Sequence, residues 1–392
     1  MLPTSVDSEL CVCHRGGKLV GALTKHVDDL KIIGDKAWIE WLVKQLEAVF
    51  GPLKLSWNKF TNCGVRHIQD PTTKSISLDQ IEYIAALKPI THADLAKAPS
   101  EAEASPALQE LYRSLLGAVA FCSLTRVDGA VFIVALQRHS GKAKNIHIRR
   151  LNAVTKWLQK TPKQLLYKRC STGKQHMLVI SDAAFRKEGD EGHSLKGALF
   201  LRADASSEAW AVSQPSLPQS VIVHVIDYYS KKVRHVNRST FGAELHACCD
   251  AGDFSMLLAQ LIHELETGAC TATMARNLRE TGGWQAELVL GIDAMSVFAG
   301  VTATAVKIPA EKALWAHVQY VRELLDTGVL KLLIWFDTRD MFADGLTKGT
   351  VDRKALHMVM DGRLTVEHAF KVWKPRMVIK KETEFDVEFL RL

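Results

Sequence analysis

The sequence has no hydrophobic run that approaches the ~20 apolar residues of a membrane-spanning helix. Residues 1–11 include acidic side chains and no cluster of basic ones, which is unlike a secretory signal. The sequence also contains no visible internal repeat. We therefore expect a protein that stays inside the cell and is neither an integral membrane protein nor a repeat array.

Cysteine is too sparse for a disulfide framework, since eight cysteines are spread through a long chain. Cys11 and Cys13 precede a histidine, but no second pair of ligands follows at the spacing of a zinc finger. Cys248 and Cys249 lie in a helical pattern, where buried thiols are common. We expect all eight cysteines to be reduced and structural.

The composition is typical of a globular protein, with 47% hydrophobic and 24% charged residues. The 392 residues are enough for two or three domains of ordinary size. The net charge of +7 and the pI near 8.9 favour a polyanionic partner.

The first half of the chain predicts a β-hairpin, a helix and then a helical region. Residues 17–34 have strand patterns on both sides of a turn, and residues 36–50 have helical spacing. The remaining predictions for this half are short strands around 54–57, 63–68 and 75–78, a linker at 92–106, and helices within about 108–166.

The second half predicts a mixed sheet with helices on its faces, because three strand patterns precede a long helix and then strands and helices alternate. The predicted strands are 176–182, 196–203, 221–230, 287–293 and 329–337. The predicted helices are about 239–265 and 309–326, with a terminal helical piece after the last strand.

Three of the predicted strands end in an acid, at Asp182, Asp293 and Asp337. Continuous apolar runs suit central strands, and acids at their ends can meet at one edge of the sheet. Glu244 falls on the predicted sheet-facing side of the long helix, where a carboxylate is costly unless it is paired or bound to a cation. The alternative for Glu244 is a first-turn acid favoured by the helix dipole.

Asp344 follows the last strand, where a helix begins, and can turn toward the same edge. Asp182, Glu244, Asp293 and Asp344 therefore form a candidate all-oxygen cluster, which is the ligand set that Mg²⁺ prefers. Two such ions can activate a water and stabilise the leaving oxygen of a phosphodiester.

A second carboxylate pair, Asp28 and Asp29, lies at the tip of the predicted hairpin in "KHVDDLKIIG". The pair is either part of a metal site for phosphoryl transfer or a polar turn, since aspartate favours turns for its local hydrogen bonding. The two residues alone do not decide between these alternatives.

Several short motifs between residues 20 and 350 resemble, in their order and spacing, the motifs of a known family. They are "HVDDLKIIGD", "SISLDQIEYI", "YRSLLGAVAFCSLTRVD", "ISDAAF", "SLKGALF", "RSTFGAELHA", "GIDAMSV" and "FADGLTKG". In this order and spacing they resemble the C-terminal part of a copia-type retrotransposon Pol polyprotein. That part consists of the end of the reverse transcriptase followed by the ribonuclease H.

The resemblance implies an α/β (α+β) fold with a truncated reverse-transcriptase palm and thumb remnant before a ribonuclease H-like mixed five-stranded sheet flanked by helices. The implied boundaries are a partial palm at 1–91, a linker and helical thumb or connection region at 92–172, the ribonuclease H-like domain at 173–350, and a tail at 351–392. The implied location is the cytoplasm, the nucleus or virus-like particles.

The resemblance also implies residue roles. Asp182, Glu244, Asp293 and Asp344 would be the catalytic acids of the ribonuclease H and would bind two Mg²⁺ or Mn²⁺ ions, while Asp28 and Asp29 would be the polymerase pair. The implied partner is an RNA–DNA hybrid, which proteins hold through its phosphates and RNA 2′-hydroxyls. The residues expected to contact it are Lys231, Lys232, Arg234, Arg238 and Lys312, for which a solvated surface is the alternative.

The sequence departs from the family in ways that leave other functions open. Only about 25 residues precede His26, too few for the third polymerase aspartate, so this chain alone should not polymerise DNA. Ala184 and Ala313 stand where the family has Asp and His. The alternatives are an inactive nucleic-acid-binding remnant and a fragment of an RNA-directed DNA polymerase. An unrelated phosphotransferase or hydrolase is disfavoured, because no phosphate-binding glycine-rich loop is visible.

Overall fold

The computed structural model describes residues 1–170, 175–185, 194–204, 217–233, 237–304 and 308–373. Within these ranges the chain forms fifteen strands in three sheets and twelve α-helices. The predicted mixed α/β class is therefore confirmed. None of the helices in these ranges is long and apolar enough to span a bilayer.

The N-terminal region is a four-stranded antiparallel sheet with one helix packed against it. The elements are β1 (Leu2–Pro3), β2 (Leu10–Arg15), β3 (Lys18–His26), β4 (Asp29–Gly34) and α1 (Lys36–Phe50). The predicted hairpin and helix are both confirmed. Trp38 and Leu42 of α1 are buried against Leu23 of β3, which is the usual arrangement for an amphipathic helix on a sheet.

The middle region combines a second small sheet with a group of helices. Its elements are β5 (Lys59–Asn62), β6 (Val65–Gln69), β7 (Ile76–Asp79), α2 (Ile81–Ala86), α3 (Ala93–Lys97), α4 (Pro106–Phe121), α5 (Ala130–Gln137), α6 (Asn145–Lys160) and β8 (Leu165–Tyr167). The predicted strand at 54–57 is wrong. Asn58 has a φ of +59°, so the chain turns there and the strand begins at Lys59.

The third region contains the largest sheet. Its elements are β9 (Gln175–Ala184), β10 (Leu195–Asp204), β11 (Gln219–Lys232), α7 (Thr240–Thr267), α8 (Ala272–Thr281), β12 (Ala286–Ile292), α9 (Met295–Thr302), α10 (Trp315–Asp326), β13 (Leu330–Phe336), α11 (Asp344–Thr347), α12 (Lys354–Met360), β14 (Arg363–Val366) and β15 (Phe370–Trp373).

The large sheet has the strand order β14-β11-β10-β9-β12-β13-β15. Strand β12 runs parallel to β9 and β13, and the other pairs are antiparallel. The five strands predicted from the sequence form its centre. Two further strands, β14 and β15, come from beyond residue 350 and extend the sheet to seven strands in the described chain.

The two faces of this sheet are covered by different helices, because successive side chains of each strand point to opposite faces. Met177 and Val179 of β9 pack with α7 and α10 on one face. Leu178 and Ile180 pack with α11, α12 and Val127 from the middle region on the other face. Both faces of β9 are therefore buried, as expected for a continuous apolar strand.

Candidate metal centre

Strand register brings two acids level with each other at one end of the large sheet. Asp182 lies near the end of β9, opposite Gly197 of β10. Gly291 of β12 pairs with Ile180 in the parallel ladder, so Asp293, which follows β12, reaches the same level as Asp182 on the neighbouring strand.

The third acid lies on α11. This helix can pack close to the sheet because residue 197 is a glycine. Asp344 is the first residue of this short helix. A Cβ atom on Gly197 would lie 2.6 Å from Leu346 Cβ and 3.0 Å from Thr347 Cγ2. The first of these separations is too short for two carbon atoms and the second is tight, so a side chain at position 197 would push α11 away from Asp182.

Asp182, Asp293 and Asp344 form a triad of carboxylates that can hold a metal ion, since one ligand atom from each lies within 4.8 Å of the other two. Asp182 is 0% exposed, and Asp293 and Asp344 are half-buried. Within the described ranges this triad is the one group of three or more His, Cys, Asp or Glu residues with such geometry. Its oxygen ligands suit a hard divalent cation.

Two neighbouring side chains also contact the triad. The Thr347 hydroxyl donates a hydrogen bond to Asp182 Oδ2. Lys348 Nζ lies 3.4 Å from Asp182 Oδ1 and 2.6 Å from Asp344 Oδ1. Sequence reasoning missed both residues. The available signal was their helical spacing of three and four residues from Asp344 in "FADGLTKG".

Glu244 is buried on α7, with 7% of its surface exposed, and it approaches the same end of the sheet. Its Oε2 accepts a hydrogen bond from the Ala183 backbone N–H at 3.1 Å. Glu244 is not a member of the triad. Burial, followed by the charges of Asp182 and Asp293, raises the pKa of Glu244 to about 9.

The pKa values of Asp293 and Asp344 are raised, because these carboxylates are half-buried and lie close to other acids. Burial and the neighbouring Asp182 raise the pKa of Asp293 to about 6, and the same causes raise the pKa of Asp344. Burial alone would lower the pKa of Lys348, but the charges of Asp182 and Asp344 outweigh it and raise that pKa. In the absence of a metal ion, Lys348 is thus the cation that partly neutralises these acids.

The other strand-end and turn acids lie elsewhere. Asp28, in the turn between β3 and β4, and Asp29, the first residue of β4, are both exposed. Neither belongs to a potential metal-binding group in the described part of the chain. Asp337 follows β13 and accepts hydrogen bonds from Arg339, at 3.0 Å from its backbone N and 2.8 Å from its Nε.

The predicted nucleic-acid-binding residues lie partly at the same end of the large sheet. Lys231 and Lys232 end β11 and pair with the beginning of β10, whose Gly197 pairs with Asp182 on its other side. Arg238 and Lys312 are exposed, and Arg238 comes directly before the residue that caps α7. Arg234 lies outside the described residues.

No protein-family model matches the chain, and no curated protein matches its sequence. The family that the motifs indicate therefore remains a prediction. The function proposed below depends on the residues at this end of the large sheet.

Proposed function

We propose that the chain is a metal-dependent endonuclease that hydrolyses the RNA strand of RNA–DNA hybrids, as part of a retrotransposon-type Pol polyprotein with an incomplete reverse transcriptase. The observation that carries this proposal is the convergence of Asp182, Asp293 and Asp344 from three distant segments at one end of a mixed sheet. The motifs that contain these acids are the same ones that resemble the ribonuclease H of the family.

The donor chemistry of the site fits Mg²⁺ or Mn²⁺. All three triad ligands are carboxylate oxygens, which are the ligands that hard divalent cations prefer. In the proposal Glu244 is the fourth acid and serves a second ion. When bound, two such ions supply an activated water and neutralise the leaving oxygen of a phosphodiester.

The residues of the chain would bind and orient the reacting groups. Asp182 is held by the Thr347 hydroxyl, which fixes the direction of its carboxylate. Burial and the charges of Asp182 and Asp293 raise the pKa of Glu244 and so favour its protonated form in the metal-free chain. Lys231 and Lys232 would contact phosphates of the hybrid at the sheet end that carries the triad.

Cleavage of a labelled RNA–DNA hybrid by the purified full chain tests the proposal. We expect cutting of the RNA strand that requires Mg²⁺ or Mn²⁺ and is lost in Asp293→Asn, because this change removes one triad ligand. Asp337→Asn is the matched control, since it makes the same substitution at another strand-end acid that lies outside the triad. Equal activity of both variants would contradict the proposal.

A second candidate, an inactive nucleic-acid-binding remnant, is favoured by the position of Lys348, whose ammonium already pairs with two of the three acids. This candidate predicts that a well-folded protein binds the hybrid and does not cleave it with either metal. Polymerase activity from this chain alone is not proposed, because Asp28 and Asp29 are exposed without a third acid among the described residues.

A further inference from the structure

The ammonium group of Lys348 lies between two of the proposed metal ligands. Its Nζ is 2.6 Å from Asp344 Oδ1 and 3.4 Å from Asp182 Oδ1. A divalent ion bound to the same carboxylates would lie about 2.0–2.2 Å from their oxygens. Two cations at such short range repel strongly, and the repulsion is weakly screened where Asp182 is fully buried.

We propose that Lys348 is the internal counter-ion of the acidic triad, and that a divalent metal ion binds only when the Lys348 ammonium leaves Asp182 and Asp344. This inference rests on the metal site of the proposed function and adds the step by which that site becomes available. It makes Lys348 a residue that sets the metal affinity of the site.

The geometry identifies the lysine side chain, and not the acids, as the moving part. Asp182 is fixed in a central strand and is 0% exposed, whereas the Lys348 side chain is 33% exposed. The backbone of Lys348 is held in place, because Arg353 Nη2 donates a hydrogen bond to its carbonyl oxygen at 3.1 Å. The flexible four-carbon stem can therefore swing toward solvent without moving α11.

Calorimetric titration of the full chain with Mn²⁺ tests the proposal through metal affinity. We expect Lys348→Met to bind Mn²⁺ at least about tenfold more tightly than the wild type, because the competing charge is removed while the apolar stem remains. Lys348→Arg, which retains the charge, should not gain affinity. The matched control is Lys354→Met, since the Lys354 side chain is 90% exposed. An unchanged or weaker affinity of Lys348→Met would overturn the proposal.

Amine labelling of the wild type gives a second readout that does not depend on the folding of a variant. We expect acetylation of Lys348 by an N-hydroxysuccinimide ester, followed by mass spectrometry, to become several-fold faster at saturating Mn²⁺, because the amine is then free of its carboxylate partners. Lys354 should react at the same rate with and without metal. A Lys348 rate that is unchanged or slower with bound Mn²⁺ would also overturn the proposal.

These measurements separate the lysine proposal from the proposed function. Tighter Mn²⁺ binding by Lys348→Met supports the counter-ion role even where the wild type fails to cleave a hybrid, which contradicts only the nuclease. Absence of Mn²⁺ binding in both the wild type and Lys348→Met overturns the counter-ion role whatever the cleavage result.

Discussion

At the scale of single residues, the Asp293 carboxylate destabilises the metal-free fold at neutral pH. Its pKa is raised from 3.8 to about 6 by burial and by Asp182. The folded protein therefore binds this proton more tightly than the unfolded chain, and the contribution of Asp293 to the free energy of unfolding falls as the pH rises from about 4 to about 6. We expect Asp293→Asn to increase the free energy of unfolding by up to about 3 kcal/mol at pH 7.5 in EDTA, measured by urea unfolding.

The same measurement at low pH provides the internal check, since the difference between Asp293→Asn and the wild type should shrink as the pH falls below about 6 and disappear well below 3.8, where the carboxyl is protonated in both the folded and the unfolded wild type. Asp337→Asn is the control, because the hydrogen bonds from Arg339 lower the pKa of Asp337, so that removing this charge should not stabilise the fold. A stability gain that is equal at both pH values would show that the pKa of Asp293 is not its source.

Gly197 determines how closely α11 can approach Asp182. Because a Cβ atom there would lie 2.6 Å from Leu346 Cβ, we expect Gly197→Ala to lower the free energy of unfolding by about 1–3 kcal/mol and to weaken Mn²⁺ binding. Urea unfolding and calorimetry measure the two effects. In Gly141→Ala, the new methyl group meets no atom within 4 Å, so both quantities should stay close to wild type. Unaltered Mn²⁺ binding in Gly197→Ala would contradict this role of the glycine.

The sequence pattern predicted the positions of the acids, but it did not predict the residues that hydrogen-bond to them. Asp182 and Asp293 end apolar runs and Glu244 lies on a helix face, so each position follows from the period of one element. The contact between Thr347 and Asp182 joins residues 165 positions apart. No local pattern specifies such a pair, because it depends on the arrangement of β9 against α11.

At the scale of elements, the sequence predicted the long strands and helices and missed the short or exposed ones. Strands β14 and β15 have four residues each and pair with strands that are distant in sequence, so neither has enough residues to show a period. Helix α8 lies in an interval with a polar composition and buries none of its residues, so no buried apolar stripe marks it as a helix.

Arg353 connects α12 to the segment that carries Lys348. Its guanidinium donates hydrogen bonds to the carbonyl oxygens of Gly345 at 2.6 Å, Lys348 at 3.1 Å and Gly349 at 3.0 Å. We expect Arg353→Met to lower the free energy of unfolding by about 2–4 kcal/mol, because the buried carbonyl of Gly345 and the part-buried carbonyls of Lys348 and Gly349 lose their donors. Urea unfolding measures this loss.

The same substitution at Lys354 provides the control for Arg353→Met, since that side chain is exposed and should contribute little. Arg353→Lys should recover only part of the stability, because a lysine cannot reproduce the fork of donors. Equal stability of Arg353→Met and the wild type would mean that water replaces the guanidinium at these carbonyls.

At the scale of the whole molecule, the N-terminal and middle regions both contact the large sheet unit. Leu10 and Val12 of β2 pack with Leu261 and Leu265 of α7. Glu264 of the same helix accepts a hydrogen bond from the Ser5 backbone N at 2.7 Å. Local sequence patterns predict elements, but they do not predict these contacts, which depend on complementary surfaces formed only after folding.

The middle region meets α12 through a buried charged group at Asp128. This carboxylate is 0% exposed; it accepts hydrogen bonds from Arg126 Nε and Nη2, both at 2.9 Å, and lies 3.0 Å from His357 Nε2 on α12. Burial would raise its pKa, but His357 and Arg126 outweigh that effect and lower the pKa of Asp128 to about 2. The ionised form of Asp128 is therefore stabilised by folding.

We expect Asp128→Asn to lower the free energy of unfolding by about 3–5 kcal/mol at pH 7, because the buried Arg126 guanidinium loses its charged partner. A depressed pKa contributes stability above the unfolded value of 3.8, and this contribution is lost as the pH falls toward 2. The difference between variant and wild type, measured by urea unfolding, should thus shrink over that range.

Glu101→Gln is the control for Asp128→Asn, since Glu101 pairs with Lys144 at the surface, where its side chain is 77% exposed, and such pairs contribute little. Because α12 carries His357 and Arg353 directly precedes that helix, loss of the Asp128 contact should also weaken Mn²⁺ binding at the triad, whereas Glu101→Gln should leave it unchanged. If Asp128→Asn lost stability but bound Mn²⁺ with wild-type affinity, the middle region would support the fold of the large sheet unit without positioning its metal site.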